Sequence, residues 1–137
     1  MYRDLKAPGL ADIEAMAHAI FADLPSHFRA LCQDLVIHVT DFAEAEDLEH
    51  FGCDSEFEIL GLFKGVGLPH QSHTDVPRLP NMVWLYRRPI LDYWAEHDDS
   101  LEEIVRHVLV HEIGHHFGLS DRDMTAIEHR PDPPCSD

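Results

Sequence analysis

The sequence predicts an α+β domain in which a small mixed sheet of about three to four strands packs on one long helix. Three observations carry that reading. Apolar residues keep helical spacing up to Leu35, gather in three short apolar runs, and return to helical spacing from Leu101. Proline falls between these runs or at their starts. A chain of 137 residues buries one core and is too short for two.

Pro8-Gly9 introduces the first helix, along which Ile13, Met16, Ala17, Ile20, Phe21 and Leu24 follow the 3.6-residue period. Pro25 closes it, and Phe28, Leu31, Cys32 and Leu35 mark a second, short helix. The β-branched run Leu35–Val39 is the first strand. An acidic short helix or loop follows around Leu48 and Phe51, and Phe57–Phe63 is the second strand and the better candidate for a sheet edge. Gly65, Gly67, Pro69, Pro77 and Pro80 mark a long surface loop, whose His70 and His73 are read as solvent-facing. Met82–Tyr86 is the third strand, and a further helix begins between Pro89 and His97. Pro131, Pro133 and Pro134 make residues 131–137 a flexible tail, leaving residues 1–130 as the single domain.

The helix expected from Leu101 to Phe117 is specified at both ends. Ser100 and Glu103 form a capping box, and Glu102 adds negative charge where the helix dipole is positive. Leu101, Ile104, Val105 and Val108 recur at three- and four-residue intervals, and no proline interrupts before Gly118.

This helix carries the run His111-Glu112-Ile113-Gly114-His115-His116-Phe117-Gly118-Leu119-Ser120-Asp121. Histidines four apart project from one helix face, so His111 and His115 reach a single metal ion. Glu112 follows the first of them, where a carboxylate sits beside a metal-bound water and takes its proton. Gly118 lets the helix end in a left-handed turn, which brings Asp121 back as a third ligand. The order reads as a hydrolytic zinc site.

Other histidines compete for these roles. His107 and His111 form a second pair of the same geometry, but the glutamate and the glycine turn belong to His111 and His115. His107 is therefore assigned to support or packing of the site. His116 points about 100° away from His115 on the helical wheel. Met124, three residues after Asp121, is read as a core residue of a short C-terminal helix. No tyrosine follows Asp121, and His129 is the one histidine beyond it.

The segment His111–Asp121 resembles the extended zincin pattern His-Glu-x-x-His-x-x-Gly-x-x-Asp. That is the metzincin arrangement with aspartate in place of the third histidine, as in snapalysin-type proteases. Beyond the motif, the chain is similar to the compact bacterial minimal zincin-like metallopeptidases. The likeness lies in its small size, the Glu58–Lys64 stretch, Leu79-Pro80-Asn81, and Arg87-Arg88-Pro89-Ile90-Leu91, and runs from about Ile13 to Glu128. The resemblance implies a zincin-like fold, zinc ligands at His111, His115 and Asp121, Glu112 as general base, and substrate in a cleft beside an edge strand.

Composition narrows the partners. Ten Lys and Arg stand against 26 Asp and Glu, a formal charge of −16, so the basic footprint of a nucleic-acid binder is missing. Eight carboxylates and no Lys or Arg lie between Asp41 and Glu58. They form either a solvated face that keeps the protein soluble or a surface that prefers a basic peptide or partner. No stretch approaches 18 apolar residues and the first six residues hold no apolar leader, so no membrane association and a cytoplasmic location are expected. Cys32, Cys53 and Cys135 are odd in number and scattered, which argues against a disulfide framework or a second zinc site.

The expected activity is zinc-dependent peptide hydrolysis. His111, His115 and Asp121 hold Zn2+ and leave a fourth position for water, and Glu112 takes its proton. Two other readings compete. One is a zincin remnant with weak activity, acting as a metal-stabilised protein-interaction module. The other is a compact metal-dependent endoribonuclease, against which Glu112 and the acidic surface both count.

Overall fold

The structure is a computed structural model that describes residues 2–64 and 80–129. Its elements are α1 (Leu10–Asp23), α2 (Ser26–Arg29), β1 (Val36–Thr40), α3 (Ala45–His50), β2 (Gly61–Lys64), β3 (Met82–Tyr86), α4 (Arg87–Glu96), α5 (Leu101–His116) and α6 (Asp121–His129). The expected loop after Lys64, with His70 and His73, and the tail from residue 131 lie outside the described residues. None of the described helices is long and apolar enough to cross a membrane.

α5 is the element around which the others pack. Ser100 Oγ accepts from the Glu103 N–H at 3.1 Å, and the Glu103 carboxylate accepts from the Ser100 N–H at 3.0 Å, closing the expected capping box. Leu101, Ile104, Val105, Val108, Leu109, Val110 and Ile113 are all buried. Seven apolar side chains on a 16-residue helix cover more than one stripe, so α5 faces neighbours on several sides. Helix α1 buries Ile13, Ala17 and Ile20 in the same core, the face its periodicity predicted. A second cluster joins Leu24, Phe28 and Cys32 to Val110, Ile113, Met124 and Ile127, so the N-terminal turns and α6 close over the end of α5. Burial pushes the Cys32 thiol up to about 11, which suits a packing role.

Among the described residues the sheet has three strands in the order β1-β3-β2, within the expected range and mixed as expected. β1 runs parallel to β3, with Ile37 opposite Val83, and β2 runs antiparallel to β3, with Gly61 opposite Leu85. The third strand has its expected bounds. The second begins four residues later than the apolar run, for a local reason. The Ser55 N–H donates to Glu58 Oε2 at 2.7 Å and the Phe57 N–H to Ser55 Oγ at 3.2 Å, which folds residues 55–58 into a turn. Ladder pairing starts only when the Tyr86 N–H reaches the Leu60 carbonyl at 3.0 Å.

Among the described residues β2 is a sheet edge, and Gly61 presses it against α5. A Cβ there would stand 2.5 Å from Val108 Cγ1 and 3.0 Å from the Trp84 carbonyl oxygen. The close approach, rather than a bulge, is what this glycine permits. α4 starts directly from β3 at Arg87, slightly before the expected range. Arg87 fixes that corner through Nε to the Pro8 carbonyl at 2.6 Å and Nη1 to Asp41 Oδ1 at 3.1 Å.

Candidate metal centre

Four-residue spacing on α5 sets Glu103, His107, His111 and His115 in one row along the open side of the helix. All four line a cleft of about 590 Å³ between α5, residues Glu58–Gly61 leading into the edge strand, and the helices α4 and α6. Glu112 stands beside the row and lines the same cleft. The sheet-edge stretch expected to meet substrate therefore lies where it faces the motif.

Glu112 is half-buried, and loss of water around it raises its carboxyl above the ordinary glutamate range. Two effects oppose that rise, the nearby His115 and a hydrogen bond from the Phe63 backbone N–H. This N–H belongs to β2, so the edge strand itself orients the carboxylate. Burial lowers the basicity of His111, with His107 adding to the effect and Glu128 opposing it. A neutral imidazole is the form that coordinates metal.

The end of the helix is built as predicted. Gly118 has φ of +77°, its N–H donates to the His115 carbonyl at 3.2 Å, and the Leu119 N–H donates to the Gly114 carbonyl at 2.9 Å. These two bonds satisfy carbonyls that a helix end leaves open. Ser120 then caps α6, accepting the Asp123 N–H on Oγ at 3.1 Å. Asp121 is the first residue of α6, with Oδ1 3.9 Å from His115 Nε2 and the side chain 91% exposed.

The remaining donors meet differently from the motif's expectation. Among the described residues, His107, His111 and Glu128 are the three-donor group whose ligand atoms all lie within 4.8 Å of one another. Glu128 Oε2 is 3.3 Å from His111 Nε2, and Glu128 Oε1 is 2.9 Å from His107 Nδ1. His111 and His115 are near neighbours, with ring centroids 5.7 Å apart. His115 and Asp121 are 60% and 91% exposed, and Asp121 is not among the residues that line the cleft, whereas Glu128 lines it and is 12% exposed.

Nitrogen and carboxylate donors around one cleft form the set that zinc accepts. On that test the residues fit the metal, with His111 and His115 on one face and carboxylates approaching both imidazoles.

Sequence reasoning passed over three lining residues. Glu128 follows Met124 by one turn on α6, and Met124 is buried, so its helical spacing was the available signal. Tyr93 lines the cleft from α4, upstream of the motif rather than downstream, and stacks on His97 with ring centroids 3.8 Å apart. Among the described residues Arg106 is the one Lys or Arg that lines the cleft, and its Nη2 pairs with Glu102 Oε1 at 2.9 Å. His129 lines the cleft too, whereas His116 turns away and packs at a tilt on Phe63 with centroids 4.2 Å apart.

Met124 is fully buried and lies against Gly114, where an added Cβ would come within 2.7 Å of Met124 Cγ. It is the core residue of a short C-terminal helix that its spacing implied. Gly114, inside the motif, is what allows α6 to approach α5.

Two comparisons bear on this geometry. The chain finds no match among curated proteins. A family model described as zincin-like metallopeptidase matches residues 32–130, from the turn before β1 to the end of α6, and so spans the sheet, the motif helix and every cleft residue named above. The chain belongs to the zincin-like metallopeptidase family.

Proposed function

We propose that this protein is a zinc-dependent metallopeptidase that hydrolyses peptide bonds with Glu112 as general base. The observation that carries the reading is the placement of Glu112. It lines the cleft beside His111 and His115, and a backbone N–H of the sheet edge holds its carboxylate. His111 and His115 are the imidazole ligands in this reading, with Asp121 as the carboxylate beside His115.

Bound zinc supplies an acidified water and polarises the scissile carbonyl. Glu112 takes the proton of the attacking water on a carboxylate oxygen and returns it to the leaving amine. Desolvation that raises its carboxyl brings it nearer the working pH, where a base both accepts and returns a proton. Residues Glu58–Gly61 border the cleft beside the edge strand, the arrangement in which an extended peptide lies along a sheet.

The cleft walls favour a basic substrate. Glu58, Asp99, Glu103 and Glu128 line it, and the guanidinium of Arg106 is already paired. This field attracts Lys- or Arg-bearing peptides and repels a phosphate backbone, which supports peptide over RNA as substrate. The solvent-open Asp121 favours one second reading, a weakly active interaction module that holds a basic partner in the same cleft.

A peptide library with basic residues on either side of the scissile bond, cleaved by zinc-loaded wild type and by Glu112→Gln, tests the proposal. Cleavage by the variant is expected to fall about 10²–10⁴-fold with zinc content kept. Equal rates would remove Glu112 from the base role. Absence of cleavage by wild type, with retention of a basic peptide, would favour the interaction module.

A further inference from the structure

Glu128 is the carboxylate that the motif does not account for. It lies on the inward side of α6, one turn beyond Met124, and its side chain is only 12% exposed. Its oxygens are divided between two imidazoles. Oε1 is 2.9 Å and Oε2 3.1 Å from His107 Nδ1, and Oε2 is also 3.3 Å from His111 Nε2. The two rings are themselves tilted against each other with centroids 4.0 Å apart.

These separations have the scale of a coordination shell. Ligand atoms about 2.0–2.2 Å from a tetrahedral zinc stand roughly 3.4 Å apart along each edge. Two edges of the group, at 2.9 and 3.3 Å, lie within about half an ångström of that length, and the edge between the two imidazoles is within 4.8 Å. Asp121 and His115, by comparison, are 91% and 60% exposed and 3.9 Å apart.

We propose that His107, His111 and Glu128 form a metal position of this chain, suited to zinc or a similar borderline divalent ion, as an alternative to the His111–His115–Asp121 position. Both positions draw on the His111 imidazole, so an ion in one excludes an ion in the other. An ion at Glu128 ties α6 to α5 and lies away from His115. Its loading leaves Glu112 idle, a consequence that rests on the proposed function, whereas the binding itself does not.

The test is calorimetric titration of metal-free full-length protein with Zn2+, paired with the Co2+ absorption spectrum and the Zn2+-induced rise in Tm. The proteins are wild type, Glu128→Gln, His107→Gln and Asp121→Asn, with Glu128→Gln and His107→Gln each also combined with Asp121→Asn. Glu128→Gln is isosteric, and circular dichroism checks that each variant is folded. Asp121→Asn, which takes the carboxylate from the outer position, is expected still to bind Zn2+. In that background Glu128→Gln and His107→Gln are each expected to raise Kd beyond the roughly 10–100-fold that loss of an outer-sphere partner costs, and to change the Co2+ bands. An Asp121→Asn protein that binds no Zn2+, or one whose Kd is unchanged by adding His107→Gln, overturns the three-donor site. Cleavage is not read here, so failure of this site and failure of the Glu112 assignment are separate results.

Discussion

Gly114→Ala gives the sharpest test of how the site is held together. Glycine in the interior of an exposed helix costs about 0.8–1.0 kcal/mol relative to alanine, so the change should stabilise α5 if nothing opposed it. Here the new Cβ would lie 2.7 Å from Met124 Cγ and closer still to its sulfur, well inside van der Waals contact. Met124 is fully buried in a packed cluster, so relieving the overlap means shifting its side chain against its neighbours. Overpacking of this kind costs about 1–3 kcal/mol. The difference predicts a net loss of roughly 1 kcal/mol, or about 3–5 °C in Tm for a domain of this size. Urea unfolding of metal-free protein measures it, with EDTA present so that metal binding does not enter. The sign should reverse in a Met124→Ala background, where Gly114→Ala gains about 1 kcal/mol, giving a coupling near 2 kcal/mol. A stabilised single mutant, or no reversal in the double mutant, refutes the claim that Met124 is why this position is glycine. Because α6 carries Asp121 and Glu128, the same displacement should weaken zinc binding even where the fold survives.

Two further outcomes follow from the ends of α5. Gly118→Ala places a Cβ at φ +77°, a left-handed conformation that costs about 1–2 kcal/mol for a residue with a side chain; unchanged urea stability would show that the turn relaxes elsewhere. The Ser100 backbone N–H, then its hydroxyl, hold the Glu103 carboxyl below its ordinary value of 4.5. A depressed carboxyl contributes stability that is present above pH 4.5 and lost as pH falls through the folded-state value. Glu103→Gln should therefore flatten the acid limb of Tm against pH while leaving the slope near neutrality alone, and an unchanged acid limb would count against the capping box as its source.

The cleavage and metal-titration experiments on Glu112, His107 and Glu128 complement these, since they read chemistry where the glycine and cap variants read structure. Zinc loss in Gly114→Ala together with normal binding in Glu128→Gln would tie the metal to Asp121 rather than to the inner carboxylate.

The amino-acid sequence by itself determined what lies within one or two helical turns. The row of His111 and His115 with Glu112 beside it, the Ser100–Glu103 cap and the Gly118 turn are all closed by contacts between residues three to five apart. Their geometry follows from the 3.6-residue period without reference to the rest of the molecule. The β-branched and aromatic run Met82–Tyr86 was legible for a similar reason, because the central strand is buried on its own pattern. Tertiary structure decided the rest. The second strand began at Gly61 because side-chain hydrogen bonds at Ser55 and Glu58 turn the preceding residues. Asp121 lies in solvent because Ser120 caps α6 and fixes its direction, while the same direction carries Glu128, 21 residues from His107, into the cleft. Tyr93 and the Phe63 N–H reach the site only because α4 and β2 fold back upon α5. Such contacts depend on how closely two elements approach, and that distance is set by the side chains between them, Gly114 against Met124 and Gly61 against Val108, which no local period encodes.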